Sequence, residues 1–134
     1  MEIIALANQK GGVAKTTSTY NLAYIKAKEG KSVLMVDLDP QASLTILCGM
    51  MPGKADYSIC DLFDLNTDPF DCGYEVTSTG LDNLYIIPSD IELAVTEQNL
   101  SGRTAREKIL KKQLDKFGDQ FDYVFIDCPP QLGI

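Results

Sequence analysis

The run Gln9-Lys10-Gly11-Gly12-Val13-Ala14-Lys15-Thr16-Thr17 follows a short apolar stretch, Ile3-Ile4-Ala5-Leu6-Ala7, and opens a segment of helical character. A strand that enters a glycine-rich turn and then a helix turns several backbone N–H groups toward one point, which suits an anion. Gly11 and Gly12 let the backbone approach closely and take positive φ at little steric cost. Lys15 is spaced to reach the β- and γ-phosphates of a nucleotide, and the Thr16 hydroxyl to ligate Mg²⁺. The run therefore predicts a nucleoside triphosphate site cradled by Gly11, Gly12, Val13 and Ala14.

The run departs from the common phosphate-loop pattern G-x-x-x-x-G-K-[ST]. Alignment on Lys15-Thr16 puts Gln9 and Ala14 where glycines belong, and Lys10 adds a second lysine at the head of the loop. This is the "deviant" Walker A form. A plain Gly-Gly turn with two solvated lysines is the competing reading, and the placement after a strand weighs against it. Lys10 has two readings of its own. In a face-to-face dimer it would cross to the partner's nucleotide, as an arginine finger does in trans; otherwise it contacts its own loop.

A length of 134 residues fits one domain, residues 1–134, and 45% hydrophobic content is enough for a core. A net charge of −7 argues against a large basic face for nucleic acid. Charge is uneven: 56–82 is acidic without a basic residue, while six of the twelve Lys/Arg fall between Arg103 and Lys116. That basic segment reads as a solvated helix face or a nucleic-acid contact. Cys48, Cys60, Cys72 and Cys128 match no metal spacing and the chain has no histidine, so the cysteines read as buried thiols of a reducing cytoplasm. No apolar run is long enough to span a membrane and no secretory signal precedes the first strand.

Strands are expected at Ile3–Ala7, Ser32–Val36, Leu84–Ile87 and Tyr123–Ile126, with helices from Thr16 to about Glu29 and from Ala42 to Leu47. Ser89 with Glu92, and Thr104 with Glu107, read as capping boxes that start two further helices. Ala105, Ile109, Leu110, Leu114 and Phe117 share one helical face. The stretch Met50–Asp82, punctuated by Pro and Gly, reads as an excursion from the main fold. Alternating strands and helices give an α/β fold with a mainly parallel sheet.

Three strands run into chemistry. The first enters the phosphate loop, the second ends in Asp37-Leu38-Asp39-Pro40-Gln41, and the last ends in Asp127-Cys128-Pro129-Pro130. Parallel sheets bind ligands at the carboxyl ends of their strands, so Lys15, Thr16, Asp37, Asp39 and Asp127 are expected around one phosphate–metal site. Mg²⁺ favours oxygen donors and keeps several waters. Asp127 resembles a Walker B aspartate, Asp37 and Asp127 would act on the metal mostly through water, and Asp39 would orient the attacking water. Each of these aspartates could instead be a turn or cap residue.

Together these segments resemble the ParA/MinD family of deviant-Walker ATPases. Lys10 to Thr17 matches the family's phosphate loop, Asp37 to Gln41 its second motif, Asp127 to Pro130 its Walker B and switch segment, and Ile87 to Ala94 its strand-to-helix connection. The Asp-Pro-Gln and Cys-Pro-Pro forms are most similar to the ParA branch, which segregates plasmids and chromosomes. The resemblance implies a P-loop NTPase fold with helices on both faces of the sheet, ATP and Mg²⁺ as cofactors, and an ATP-driven dimerisation switch. By it, Lys10 reaches across a homodimer, Lys15 and Thr16 bind phosphate and Mg²⁺, Thr17 contacts the α-phosphate, and Asp39 supports hydrolysis. It further implies non-specific DNA binding by the ATP-bound dimer, a ParB-type centromere-binding adaptor that stimulates hydrolysis, and a cytoplasmic, nucleoid-associated location. Ala14 departs from the commoner Gly but is small enough to keep the loop. Relatives continue beyond the equivalent of Ile134 through the adenine pocket, much of the dimer surface and the DNA-binding residues. Residues 1–134 are thus expected to be the N-terminal part of a P-loop ATPase domain, with turnover belonging to the full-length protein.

Two other classes share such a loop. A bacterial tyrosine kinase of related fold would pass the γ-phosphate to protein, and typically carries a C-terminal tyrosine cluster. A non-hydrolysing ATP-gated binding module would bind nucleotide without turnover.

Overall fold

Every residue of Val33-Leu34-Met35-Val36-Asp37 is buried, which is what a strand covered on both faces requires. The computed structural model describes residues 1–7, 13–93 and 103–129. In chain order it contains β1 (Glu2–Leu6), α1 (Val13–Lys28), β2 (Val33–Asp37), α2 (Ser43–Leu47), α3 (Ile59–Leu62), a 3₁₀ turn (Pro69–Cys72), β3 (Tyr74–Glu75), a second 3₁₀ turn (Thr77–Thr79), β4 (Leu84–Ile87), α4 (Arg103–Asp115) and β5 (Tyr123–Asp127). The sheet order is β1-β5-β2-β4-β3. The first four strands run parallel, and β3 lies antiparallel on the outer edge of β4.

Successive strand residues point to opposite faces, and the core divides accordingly. Val33, Met35, Leu84, Ile86 and Phe125 meet Ala23 and Ala27 of α1 and Leu44 of α2. Leu34, Val36, Ile87, Val124 and Ile126 meet Ile59 and Leu62 of α3 and Leu110 and Leu114 of α4. Helices therefore cover both faces of a mainly parallel sheet, as expected.

The helix ends follow local chemistry. α1 stops in a Schellman arrangement: Gly30, at φ +92°, donates its N–H to Ala27 O and the Lys31 N–H donates to Lys26 O. Lys26 and Lys28 in its last turn suit the negative end of the helix dipole. Ser58 and Asp61 form a reciprocal capping box that starts α3.

Three expectations need correction. Met50–Asp82 is no excursion: Ile59, Leu62, Phe63, Cys72 and Val76 are buried in the core, and the segment supplies β3 to the sheet. Its apolar residues are spaced by turns, so no period marks them in the sequence. Ser89 donates its hydroxyl to Asp39 O, and the Glu92 N–H goes to the Asp90 carboxylate rather than to Ser89; the helix expected after them falls mostly on 94–102, outside the described residues. Thr104 lies inside α4, which already includes Arg103, rather than ahead of it. Of the expected apolar face on that helix, Leu110 and Leu114 are buried, with Phe117 buried in the turn beyond its end.

Candidate nucleotide and metal site

β5 lies between β1 and β2, which brings three strand ends level. Asp127 pairs in register with Leu6 of β1 on one side and with Asp37 of β2 on the other. The ladder continues one step further: Cys128 N–H donates to Leu6 O, and Leu38 N–H donates to Asp127 O. The end of the apolar run Tyr123–Ile126 therefore holds Asp127 between the ends of β1 and β2, fully buried.

The first turns of α1 face this carboxylate. Thr16 Oγ1 donates to Asp127 Oδ2 at 3.1 Å. Thr19 Oγ1 lies 3.2 Å from Asp127 Oδ1 and 2.9 Å from Lys15 O. Lys15 Nζ is 3.2 Å from Asp127 Oδ1 and 3.8 Å from Asp39 Oδ2, and it donates to the Cys128 carbonyl. Lys15, Thr16, Asp39 and Asp127 are all buried. A charged lysine withdrawn from water in this way is stable only when paired and hydrogen-bonded, and both conditions are met.

A second cluster forms at the end of β2. Asp37 Oδ1 accepts the Asp39 N–H, and Asp37 Oδ2 accepts both the N–H and the hydroxyl of Thr45, the hydroxyl at 2.7 Å. Burial pushes the Asp37 carboxyl up to about 6, against these hydrogen bonds, and the nearby Asp127 adds to the rise. Asp39 Oδ1 accepts the Gln41 N–H, and Ser89 Oγ donates to Asp39 O. Asp39 and Asp127 thus share Lys15, while Asp37, next to Asp127 in the strand register, is satisfied by Asp39 and Thr45.

Lys15, Thr16, Asp37, Asp39 and Asp127 are all brought to one edge, as the sequence predicts. Lys10, Gly11 and Gly12 lie outside the described residues. Val13 and Ala14 form the start of α1, and Thr17 is exposed on it beside Thr16. Thr19, Thr45 and Ser89 were not anticipated. The spacing of Thr19, four residues after Lys15 on a helix, puts it on the same face and was a usable signal. The partners of Thr45 and Ser89 come from distant segments, and nothing local marks them.

The whole chain, residues 1–134, matches the family model described as AAA domain. It also shares 43% identity over 133 residues with the sporulation initiation inhibitor protein Soj of Bacillus subtilis, covering 99% of this chain and 51% of that protein. The chain is a ParA/MinD-type member of the AAA-domain family. Among solved structures, a cobyrinic acid a,c-diamide synthase from Mycobacterium smegmatis with bound ATP analog and magnesium superposes with a TM-score of 0.88 at 38% identity, over 99% of this chain and 53% of that one. A plasmid partition protein from Borrelia burgdorferi superposes with a TM-score of 0.81 at 30% identity, over 98% of this chain and 57% of that one. This family member spans about half the length of the relatives it matches.

The donor set of this ParA/MinD-type chain fits a hard divalent cation held loosely. Among the described residues, no group of three or more His, Cys, Asp or Glu side chains could hold a metal ion by itself. One hydroxyl, Thr16 Oγ1, and one carboxylate, Asp127, stand together, which suits an ion that keeps most of its waters and takes phosphate oxygens as further ligands.

Proposed function

We propose that the protein is an ATP-binding and ATP-hydrolysing dimerisation switch for plasmid or chromosome partition, binding DNA non-specifically in its ATP state. The observation that carries the reading is the buried Lys15–Thr16–Asp127 cluster at the carboxyl edge of β1 and β5. Lys15 is held by Asp127 and the Cys128 carbonyl, and the phosphates of ATP would compete for it. The backbone of Gly11, Gly12, Val13 and Ala14 would cradle those phosphates, with Thr17 at the α-phosphate.

Mg²⁺, when bound, would neutralise charge between the β- and γ-phosphates. Thr16 would hold it directly and Asp127 through water. Asp37 already accepts three hydrogen bonds, so its share in the metal site would also pass through water. Asp39 would orient the attacking water from the loop beside Lys15. Lys10 would cross to the nucleotide of a second copy of the chain. The nature of the relatives supports a partition role, with a ParB-type adaptor stimulating hydrolysis and the protein associated with the nucleoid in the cytoplasm. Among the described residues, no helix is long and apolar enough to cross a membrane.

The test uses the full product of the gene. ATP turnover with and without Mg²⁺, sedimentation with and without ATP, and ATP-dependent retention on non-specific duplex DNA should all be positive. ATP binding without turnover or dimer formation would sink the switch reading in favour of a passive ATP-gated module.

A further inference from the structure

Asp39 is held at both ends of its backbone, in part by a residue from a distant segment. Its N–H donates to Asp37 Oδ1 at 3.0 Å. Its carbonyl accepts the Ser89 hydroxyl at 2.7 Å and the Ala42 N–H at 2.9 Å. Ser89 in turn donates its N–H to Thr45 Oγ1 at 2.8 Å, and Thr45 Oγ1 donates to Asp37 Oδ2 at 2.7 Å. The contacts close into a ring: Asp37, Asp39, Ser89, Thr45 and back to Asp37. It joins the end of β2, the helix α2 and the residue pair that leaves β4. All four members are buried.

Donation runs along both arms of the ring from Ser89 to Asp37. The Thr45 hydroxyl has one proton; because that proton goes to Asp37, the oxygen is left to accept from Ser89, and each bond orients the next. Ala42 is held at φ +59°, a left-handed conformation uncommon for a residue with a Cβ, and this turns the chain back so that Thr45 can reach Asp37. A carboxylate on a five-residue connection between strand and helix would otherwise be free to shift relative to Lys15.

We propose that Thr45 and Ser89 are positioning residues for Asp39: they lock its backbone to α2 and β4 so that its carboxylate stays aimed at the phosphate site. The proposal rests on the ATP-hydrolysis reading above. Neither hydroxyl is given a contact with nucleotide: Ser89 holds Asp39 directly, and Thr45 holds it through Asp37 and Ser89. Displacing a reacting group by about 1 Å can cost on the order of a hundredfold in rate, and the ring suppresses a displacement of that kind.

The experiment measures ATP turnover, nucleotide affinity and thermal melting on the full product of the gene, for wild type, Asp39→Ala, Thr45→Val, Thr45→Ser and Ser89→Ala. Asp39→Ala tests the underlying reading separately. If it leaves turnover unchanged, the role of Asp39 fails, whatever the other variants do. Where Asp39→Ala does abolish turnover, Thr45→Val and Ser89→Ala should lower kcat by about tenfold to a hundredfold while nucleotide affinity stays near that of wild type. Thr45→Ser, which restores the hydroxyl but not the methyl, should recover most of the rate. A hydroxyl needed only for packing or folding would move affinity and melting together with kcat, and Thr45→Ser would then be no better than Thr45→Val. Wild-type kcat in Ser89→Ala, or parallel loss of kcat and affinity, overturns the proposal. Should Thr45→Val fail to fold, Ser89→Ala and Thr45→Ser decide between the same outcomes.

Discussion

Lys15 Nζ lies 3.2 Å from Asp127 Oδ1, and both side chains are almost wholly withdrawn from water. The pair links the first turn of α1 to the end of β5, the strand between β1 and β2. Removing one member of a buried pair leaves the other charge uncompensated, at a cost of about 3 kcal/mol or more. Lys15→Ala is therefore expected to abolish nucleotide binding and also to lower the stability of the nucleotide-free protein by about that amount, read from urea unfolding and calorimetric titration. A variant that loses binding at wild-type stability would show that Asp127 is compensated by Thr16 and Thr19 alone.

Asp39 stands 3.8 Å from Lys15 and keeps a carboxylate oxygen toward it. Asp39→Ala should reduce ATP turnover by at least about a hundredfold while ATP-dependent dimers persist. Turnover assays paired with light scattering check both halves. Loss of the dimers together with turnover would make Asp39 a binding group instead.

Lys10 tests the dimer. Lys10→Ala should lower turnover more than nucleotide affinity, since a group supplied in trans acts on the transition state and is worth on the order of 10³ or more in rate. Equal losses in the two measurements would favour a contact of Lys10 with its own loop.

Gln113 of α4 is fully buried, and its side-chain amide donates to Leu62 O and Asp64 O at 2.8 Å and to Thr67 O at 3.3 Å. One side chain thus ties the end of α3 and the loop after it to α4. Gln113→Leu should reduce stability by about 2 kcal/mol, because it strips a partner from the buried Leu62 carbonyl and from the partly buried ones of Asp64 and Thr67. The urea midpoint should fall. An unchanged midpoint would mean that the 62–67 turn holds its own shape.

Burial pushes the Cys48 and Cys72 thiols from the ordinary 9.0 to about 12. Their pKa is raised in the folded state, so each contributes stability that is complete below pH 9.0 and is lost as pH rises toward about 12. Unfolding free energy should therefore decline above pH 9. At pH 8 the native protein should shield both thiols from a disulfide reagent that modifies them rapidly in urea. Quick modification of Cys72 in the native state would contradict its burial.

Much of this architecture can be read from single segments. Val33–Asp37 and Tyr123–Asp127 are apolar runs that end in aspartate, and they become strands whose carboxylates meet. The helix beginning in the phosphate loop stops at Gly30, where the sequence places its C-cap. The missed features are those whose meaning depends on distant partners. Tyr74–Glu75 is too short to show a period, and it is a strand only because β4 lies beside it. Ser89 followed by Glu92 carries a helix-start signature, yet the hydroxyl serves Asp39, fifty positions earlier. Thr45 sits in an apolar stretch and is polar for the sake of a buried carboxylate that no local pattern reveals.

The order of strands has a consequence for how the molecule is made. β1 and β2 never touch; β5 is inserted between them. Synthesis delivers β1 and β2 first and leaves a gap of one strand between them until the segment around Tyr123–Asp127 leaves the ribosome. At about 5–20 residues per second, the two early strands wait several seconds with unpaired edges facing each other's future neighbour. The strand that closes the gap also carries Asp127, so the joining of β1 to β2 and the arrival of Asp127 beside Lys15 are a single event in the life of the nascent chain.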